Sequence, residues 1–322
     1  MRATPLFALL ATTVACALFA AQAQATQRDR VFVASYGSDS NPCTFGSPCK
    51  TFQNAVDVVA AGGEVTAIDS AGFGPLNISK AVTITSPNGV EAGIVSQSQG
   101  IAITISAGPS DAVVLSGLTL EGSGTDDYGI DFTSGASLEI VNCAIRDYIF
   151  GGVTVEVTVP TTVLISNSVI SGVTNTNQYG IFLHATSDGS ITAAINHVTV
   201  DNNFWGIFTY GENGQVELSV ADSHVENNLN IGINLFGSGS GASSAILKNV
   251  TLNQTPYGVY VEQNSTVWFS NLTQSSAAGF TNTAGVFLND PASTAAYSDG
   301  TSHLMSGFVG NGGAPLQAWP KQ

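Results

Sequence analysis

The dipeptide Gly-Ile or Gly-Val returns at a nearly fixed interval along most of this chain. Gly180-Ile181, Gly206-Ile207, Gly232-Ile233 and Gly258-Val259 are each 26 residues apart, with looser copies at Gly129-Ile130, Gly152-Val153 and Gly285-Val286. A period in the twenties means one supersecondary unit stacked many times, because a single unit cannot bury its apolar side alone. The repeat decides the architecture before any local reading does. It also moves the functional question to the residues that break it.

Within each period, short runs alternate apolar and polar residues between links of Asn, Gly, Ser and Asp. One unit reads Gln178-Tyr179-Gly180-Ile181-Phe182-Leu183-His184, a polar turn at Asp188-Gly189, a run over 191–195, then His197-Val198-Thr199-Val200. The alternation is that of strands, and the runs are too short for ordinary helices. Pairing each strand with its counterpart one turn later satisfies the backbone groups and buries one face. The expected fold is all-β, a single-stranded parallel β-helix of about nine coils, on the order of 40 Å tall at about 4.8 Å per coil.

A second column repeats a polar residue three positions before an apolar one: Asn142/Ile145, Asn167/Ile170, His197/Val200, Asp222/Val225 and Asn249/Leu252. Side-chain amides stacked at a turn can hydrogen-bond along the axis, which makes His197 a structural rung. Lys50-Thr51-Phe52-Gln53-Asn54-Ala55-Val56-Asp57-Val58-Val59 places Phe52, Ala55, Val56 and Val59 on one helical face. That segment is expected to form a short N-terminal α-helical cap, stopped by Gly62-Gly63. Residues 26–63 then form an N-terminal cap segment, 64–290 the coils, and 291–322 an irregular C-terminal cover.

Residues 1–25 have the pattern of a secretory signal: Arg2, an apolar run over 6–21 and the small-residue site Ala23-Gln24-Ala25. The run is too short to span a bilayer. The expected location is secreted or periplasmic, with no membrane insertion. Beyond the signal stand Cys43, Cys49 and Cys143. The close pair is expected to form a loop disulfide in an oxidising space, leaving Cys143 a buried, inert thiol.

Lys and Arg number 8 against 23 Asp and Glu, which argues against nucleic acid and anionic membranes as partners. The same balance disfavours a polyanionic polysaccharide unless a divalent cation bridges it. Disorder is excluded by an apolar content of 43% that recurs periodically.

The segment Cys49-Lys50-Thr51-Phe52-Gln53-Asn54-Ala55-Val56 resembles the entry of the pectate lyase-like right-handed β-helix superfamily. Gly74-Pro75-Leu76-Asn77-Ile78-Ser79-Lys80-Ala81-Val82-Thr83-Ile84 is similar to its continuation in pectin methylesterases. With the downstream repeats, the resemblance covers nearly all of the chain past the signal. It implies the fold and leaves the activity open, since the superfamily holds lyases, hydrolases, esterases, epimerases and proteins without catalysis. The Asp-Phe segment of pectin methylesterases and the Asn-Thr-Asp, Gly-His-Gly and Arg-Ile-Lys motifs of polygalacturonases do not occur. Pectate lyases use Ca²⁺-binding carboxylates and a basic residue. Between residues 65 and 289 the cations are Lys80, Arg146 and Lys248, and Arg146 is expected to pair with Glu121 of the previous coil.

Taking Ile181, Ile207, Ile233 and Val259 as inward, alternation sends their flanking residues outward. One outward column reads Asp131, Thr154, Phe182, Phe208, Asn234, Tyr260, Phe287, and the next reads Thr133, Glu156, His184, Tyr210, Phe236, Glu262, Asn289. Phe182, Phe208, Tyr210, Phe236 and Tyr260 are expected to form one strip. Such a strip can stack on sugar rings, form a protein interface, or be covered by the chain's own links and tail. Beside it, Asp131, Glu156 and His184 are the candidate catalytic groups, with Asp131 and Glu156 spaced for a water between two carboxylates, as in inverting glycoside hydrolysis. The histidines show no metal-ligand spacing, so no cofactor is expected; the Asp-rich links could hold Ca²⁺ only loosely. The function expected is a carbohydrate-contacting β-helix without a matched catalytic motif. Alternatives are a polysaccharide-degrading enzyme, hydrolase before lyase, or a self-associating rod.

Overall fold

The computed structural model describes residues 28–96, 100–275, 284–290, 294–304, 307–310 and 316–318. The signal segment 1–25 and much of the tail lie outside these. The chain winds as a right-handed parallel β-helix, as expected. Every named strand pairing is parallel. The coils build two surfaces: a ten-stranded sheet with one strand per coil, and a twenty-stranded sheet to which the middle coils give two runs each.

The inward column holds as the alternation predicts. Ile181 pairs with Ile207, Ile207 with Ile233 and Ile233 with Val259, and all four are fully buried. The glycines before them have a steric cause. A β-carbon built at Gly180, Gly206, Gly232 or Gly258 would stand 2.8, 2.5, 2.6 or 2.5 Å from the carbonyl oxygen of the glycine one coil later. No real β-carbon tolerates that approach, so the column excludes every other residue.

The polar column has a cause the sequence reading did not name. Asn142, Asn167, His197, Asp222 and Asn249 all adopt left-handed backbone, with φ between 49° and 55°. Asn, Asp and His enter that region more readily than other L-residues. The turn therefore selects these residues. Axial side-chain bonds are present in part: Asn249 Nδ2 donates to Asp222 Oδ1 at 2.7 Å, and Asn271 Nδ2 to Asn249 Oδ1 at 2.9 Å. A second, buried ladder escaped the sequence reading. Asn203 Nδ2 donates to Asn228 Oδ1 at 3.2 Å, and the Asn228 amide N–H to Thr255 Oγ1.

The N-terminal segment differs from expectation. The helix is Phe52–Val58, capped by the Thr51 hydroxyl, which accepts from the Asn54 N–H. It ends at Val59, where the strand Val59–Ala67 begins, so Gly62 and Gly63 lie inside a strand. Gln53 bonds the end strand of the ten-stranded sheet: its Oε1 accepts from the Asn77 N–H at 2.7 Å and its Nε2 donates to the Asn77 carbonyl. The longer sheet is instead extended by the strand Arg28–Val33, which pairs with Val59–Ala67. Strand pairing thus starts before residue 64. It also runs past 290, since Thr294–Ser298 pairs with Ser265–Ser270 and with Gln317–Ala318; the described part of 291–322 continues the coil.

Cys43 and Cys49 form the expected disulfide. Cys143 is free and buried, and burial pushes its thiol up to about 11. Register sets Arg146 opposite Glu121, yet the Arg or Lys ion pair found among the described residues is Arg30–Glu64. Burial and Asp147 raise the Glu121 carboxyl despite the nearby Arg146.

Replacing Gly232 with Ala is expected to destabilise the rod by about 1–3 kcal/mol, the usual penalty of overpacking. Gly46→Ala, which meets nothing within 4 Å, should stay within about 0.5 kcal/mol of wild type. Denaturant unfolding of the two variants measures the difference.

Candidate functional site

The outward columns fall where alternation put them, on the ten-stranded sheet. Asp131 pairs with Thr154, Thr154 with Phe182, Phe182 with Phe208, Phe208 with Asn234, Asn234 with Tyr260, and Tyr260 with Phe287. In the neighbouring column, Glu156 pairs with His184, His184 with Tyr210 and Tyr210 with Phe236. A third column precedes the glycines and was missed: Tyr179 pairs with Trp205, Trp205 with Ile231 and Ile231 with Tyr257. The residue before each Gly-Ile was its signal.

Parallel pairing holds these rings one coil apart, which is close to an offset stacking distance. Across coils, Phe182 and Phe208 stack at 5.3 Å and Tyr210 and Phe236 at 4.9 Å between centroids, while Tyr179 stacks at 4.6 Å on Phe182 of its own strand. Phe208 is only 8% exposed because the rings around it cover it, while Phe182, Tyr210, Phe236 and Tyr260 are half-buried. The strip is not continuous. Asn234 stands where the column passes from Phe208 to Tyr260, and Tyr260 stacks instead with Phe287 at 4.9 Å. The expected single strip is therefore two aromatic clusters with a polar break between them.

The register sets Glu156 and His184 side by side in adjacent coils, as expected. His184 lies parallel to the Tyr210 ring at 4.6 Å and 4°. Its Nδ1 is 3.0 Å from Glu156 Oε1, and its Nε2 is 3.1 Å from Glu212 Oε2. Each ring nitrogen of His184 thus has a carboxylate oxygen within hydrogen-bond distance. Glu212 was missed, although it lies two residues past Tyr210 in the same alternation. The three groups spread along the axis across three coils, with the carboxylates on opposite ring nitrogens. Among the described residues, no three His, Cys, Asp or Glu side chains converge as a metal's ligand set.

The carboxyl of Glu156 is held below the ordinary glutamate range, first by the hydrogen bond from His184; partial burial opposes this and the His184 charge adds to it. Asp131 is raised, by burial first and then by the charge of Glu156. The strands of this sheet contain Asp131, Glu156 and Glu212, with Glu262 directly after Tyr257–Val261, and among the described residues no Lys or Arg. Asn234 Nδ2 donates to Glu262 Oε1 at 3.0 Å.

No family model and no curated protein sequence matches the chain. Among solved structures it is similar to the pectate lyase Pel9A, at 12% identity and a TM-score of 0.54 over 88% of this chain and 80% of that one. It is similar also to an alginate lyase from Paenibacillus sp. str. FPU-7, at 16% identity and a TM-score of 0.55 over 90% of this chain and 99% of that one. Identity this low shows the fold alone. The fold shared with these two lyases is the parallel β-helix.

Carbon-13 NMR of the side-chain carboxyls should show Glu156 titrating below the ordinary value of about 4.3 and Asp131 above its ordinary value of about 3.9. A depressed folded-state value means that ionised Glu156 stabilises the fold above the ordinary range. That contribution is lost as pH falls through the depressed value. Replacing His184 with Asn should return Glu156 toward the ordinary value.

Proposed function

We propose that this is an exported β-helix protein whose ten-stranded face binds a polysaccharide by stacking its aromatic rings against sugar rings. The observation that carries this reading is the cluster of Tyr179, Phe182, Tyr210 and Phe236, half-buried rings on three successive strands of one sheet. Rings held this way lose little freedom on binding, and they offer apolar area rimmed by the carboxylates and amides a sugar's hydroxyls require. The two solved structures sharing the fold are named for lyases of pectate and alginate, both polysaccharides, which supports a carbohydrate ligand. The Cys43–Cys49 disulfide supports an oxidising compartment. Among the described residues no helix is long and apolar enough to cross a membrane.

One observation favours hydrolysis as a second reading. Asp131 and Glu156 are neighbouring carboxyls whose surroundings push their proton affinities in opposite directions. That is the condition for one to act as acid while the other stays ionised as base. The diagonal of the sheet sets them about 7–8 Å apart at Cβ, room for the water of an inverting mechanism. His184, braced by Glu212, would be the positioning residue that orients Glu156.

Binding to a glycan array tests the first reading. The Phe182→Ala/Tyr210→Ala double variant should lose about tenfold or more in affinity, given about 0.5–1.5 kcal/mol per aromatic contact. Equal signals from wild type and variant would remove it. Reducing-sugar release from whichever glycan binds tests hydrolysis. Asp131→Asn and Glu156→Gln should each abolish it, and turnover unchanged by both would end that reading.

A further inference from the structure

The polar break between the two aromatic clusters is a built recess. Its volume is about 320 Å³, and Trp205, Ile231, Asn234, Tyr257, Tyr260 and Glu262 line it. Asn234 is 1% exposed, and its Oδ1 is buried without a hydrogen-bond partner. The Trp205 Nε1–H is buried and unpartnered as well. Buried polar atoms are nearly always paired, and an orphan points to an absent water, ion or ligand. Here the two orphans, one acceptor and one donor, belong to two residues that line a single recess. The Glu262 carboxylate, which already accepts from Asn234 Nδ2, adds acceptor capacity at the rim. A comparable hollow of about 380 Å³ on the twenty-stranded sheet, between Glu217, Ile246 and Trp268, contains no orphaned group.

A hydroxyl both donates and accepts. An anion would face Glu262 with no Lys or Arg in this sheet to offset it, and the ring nitrogens of His184 are already taken by Glu156 and Glu212. We infer that the recess is a subsite for an uncharged hexose unit, which stacks on Tyr260 and Tyr257 and sets hydroxyls against Asn234, Trp205 and Glu262. The assignment rests on the reading of this face as a glycan-binding surface and narrows it to neutral glycans, excluding uronates.

Isothermal titration with cellohexaose and mannohexaose as uncharged probes, and a galacturonic acid hexamer as the anionic one, tests the inference. At least one neutral hexamer should bind, with the galacturonate hexamer at least tenfold weaker. In nitrogen-edited NMR the indole N–H of Trp205 should shift on binding while that of Trp268 stays. Tyr260→Ala and Glu262→Gln should each weaken binding by about fivefold or more, measured well below each variant's thermal melt. Neutral binding that both variants retain, with no shift at Trp205, would overturn the subsite and leave the stacking strip standing. Equal binding of the galacturonate hexamer would overturn the charge argument. Binding of no hexamer, neutral or acidic, would overturn both the subsite and the glycan-binding face.

Discussion

The structure depends on contact between each repeat glycine and the carbonyl oxygen of the glycine one coil on. From Gly129 to Gly285 that oxygen lies 2.5–2.8 Å from where a β-carbon would stand. Any side chain there would force coils apart, and strands spaced beyond about 4.8 Å lose their ladder hydrogen bonds. The column therefore does more than permit a turn. It locks the register in which Ile181, Ile207, Ile233 and Val259 stack, and a one-residue slip would turn that buried column outward. The same register sets the outward rings at stacking distance. Phe182 and Phe208 meet at 5.3 Å because the glycines two residues earlier meet backbone to backbone.

Electrostatics on the ten-stranded face follow from what the repeat leaves out. Without Lys or Arg in its strands, the one group there that could carry positive charge is an imidazole between two carboxylates. Even with both its nitrogens protonated, His184 would set one positive charge against the two negative charges of Glu156 and Glu212. The face is thus acidic at its rim and apolar along its middle. Such a surface repels polyanions.

The fold was legible because its cause is periodic. Fixed spacing of Gly-Ile, strict alternation and the shared parity of the outward columns carried the coil, the core column and the neighbours of Glu156, His184, Tyr210 and Phe236. What periodicity could not carry was anything set by a single side chain's rotamer or by the chain's ends. Glu212 reaches His184 through a side chain whose direction the pattern does not encode. Gln53 pairs with the Asn77 backbone across 24 residues, and Arg28–Val33 joins the sheet without any copy of the repeat. The polar column was seen, but its cause lies in backbone torsion at Asn142 and its equivalents, which letters alone report only as a preference.

Asn234 shows why the break in the aromatic column matters more than the column itself. An aromatic residue there would continue the stack from Phe208 to Tyr260 and would fill the space the recess now occupies. The chain instead places a nearly fully buried amide with one satisfied and one orphaned polar atom. Leaving such an acceptor unpaired costs about 1–3 kcal/mol, and an apolar ring would remove that cost. Stability alone therefore favours an aromatic residue at 234. The amide is an interruption that weakens the rod, and its orphaned acceptor shares the recess wall with the orphaned donor of Trp205. Local instability at a gap in an otherwise self-consistent stack is where a ligand, rather than the fold, completes the hydrogen bonding.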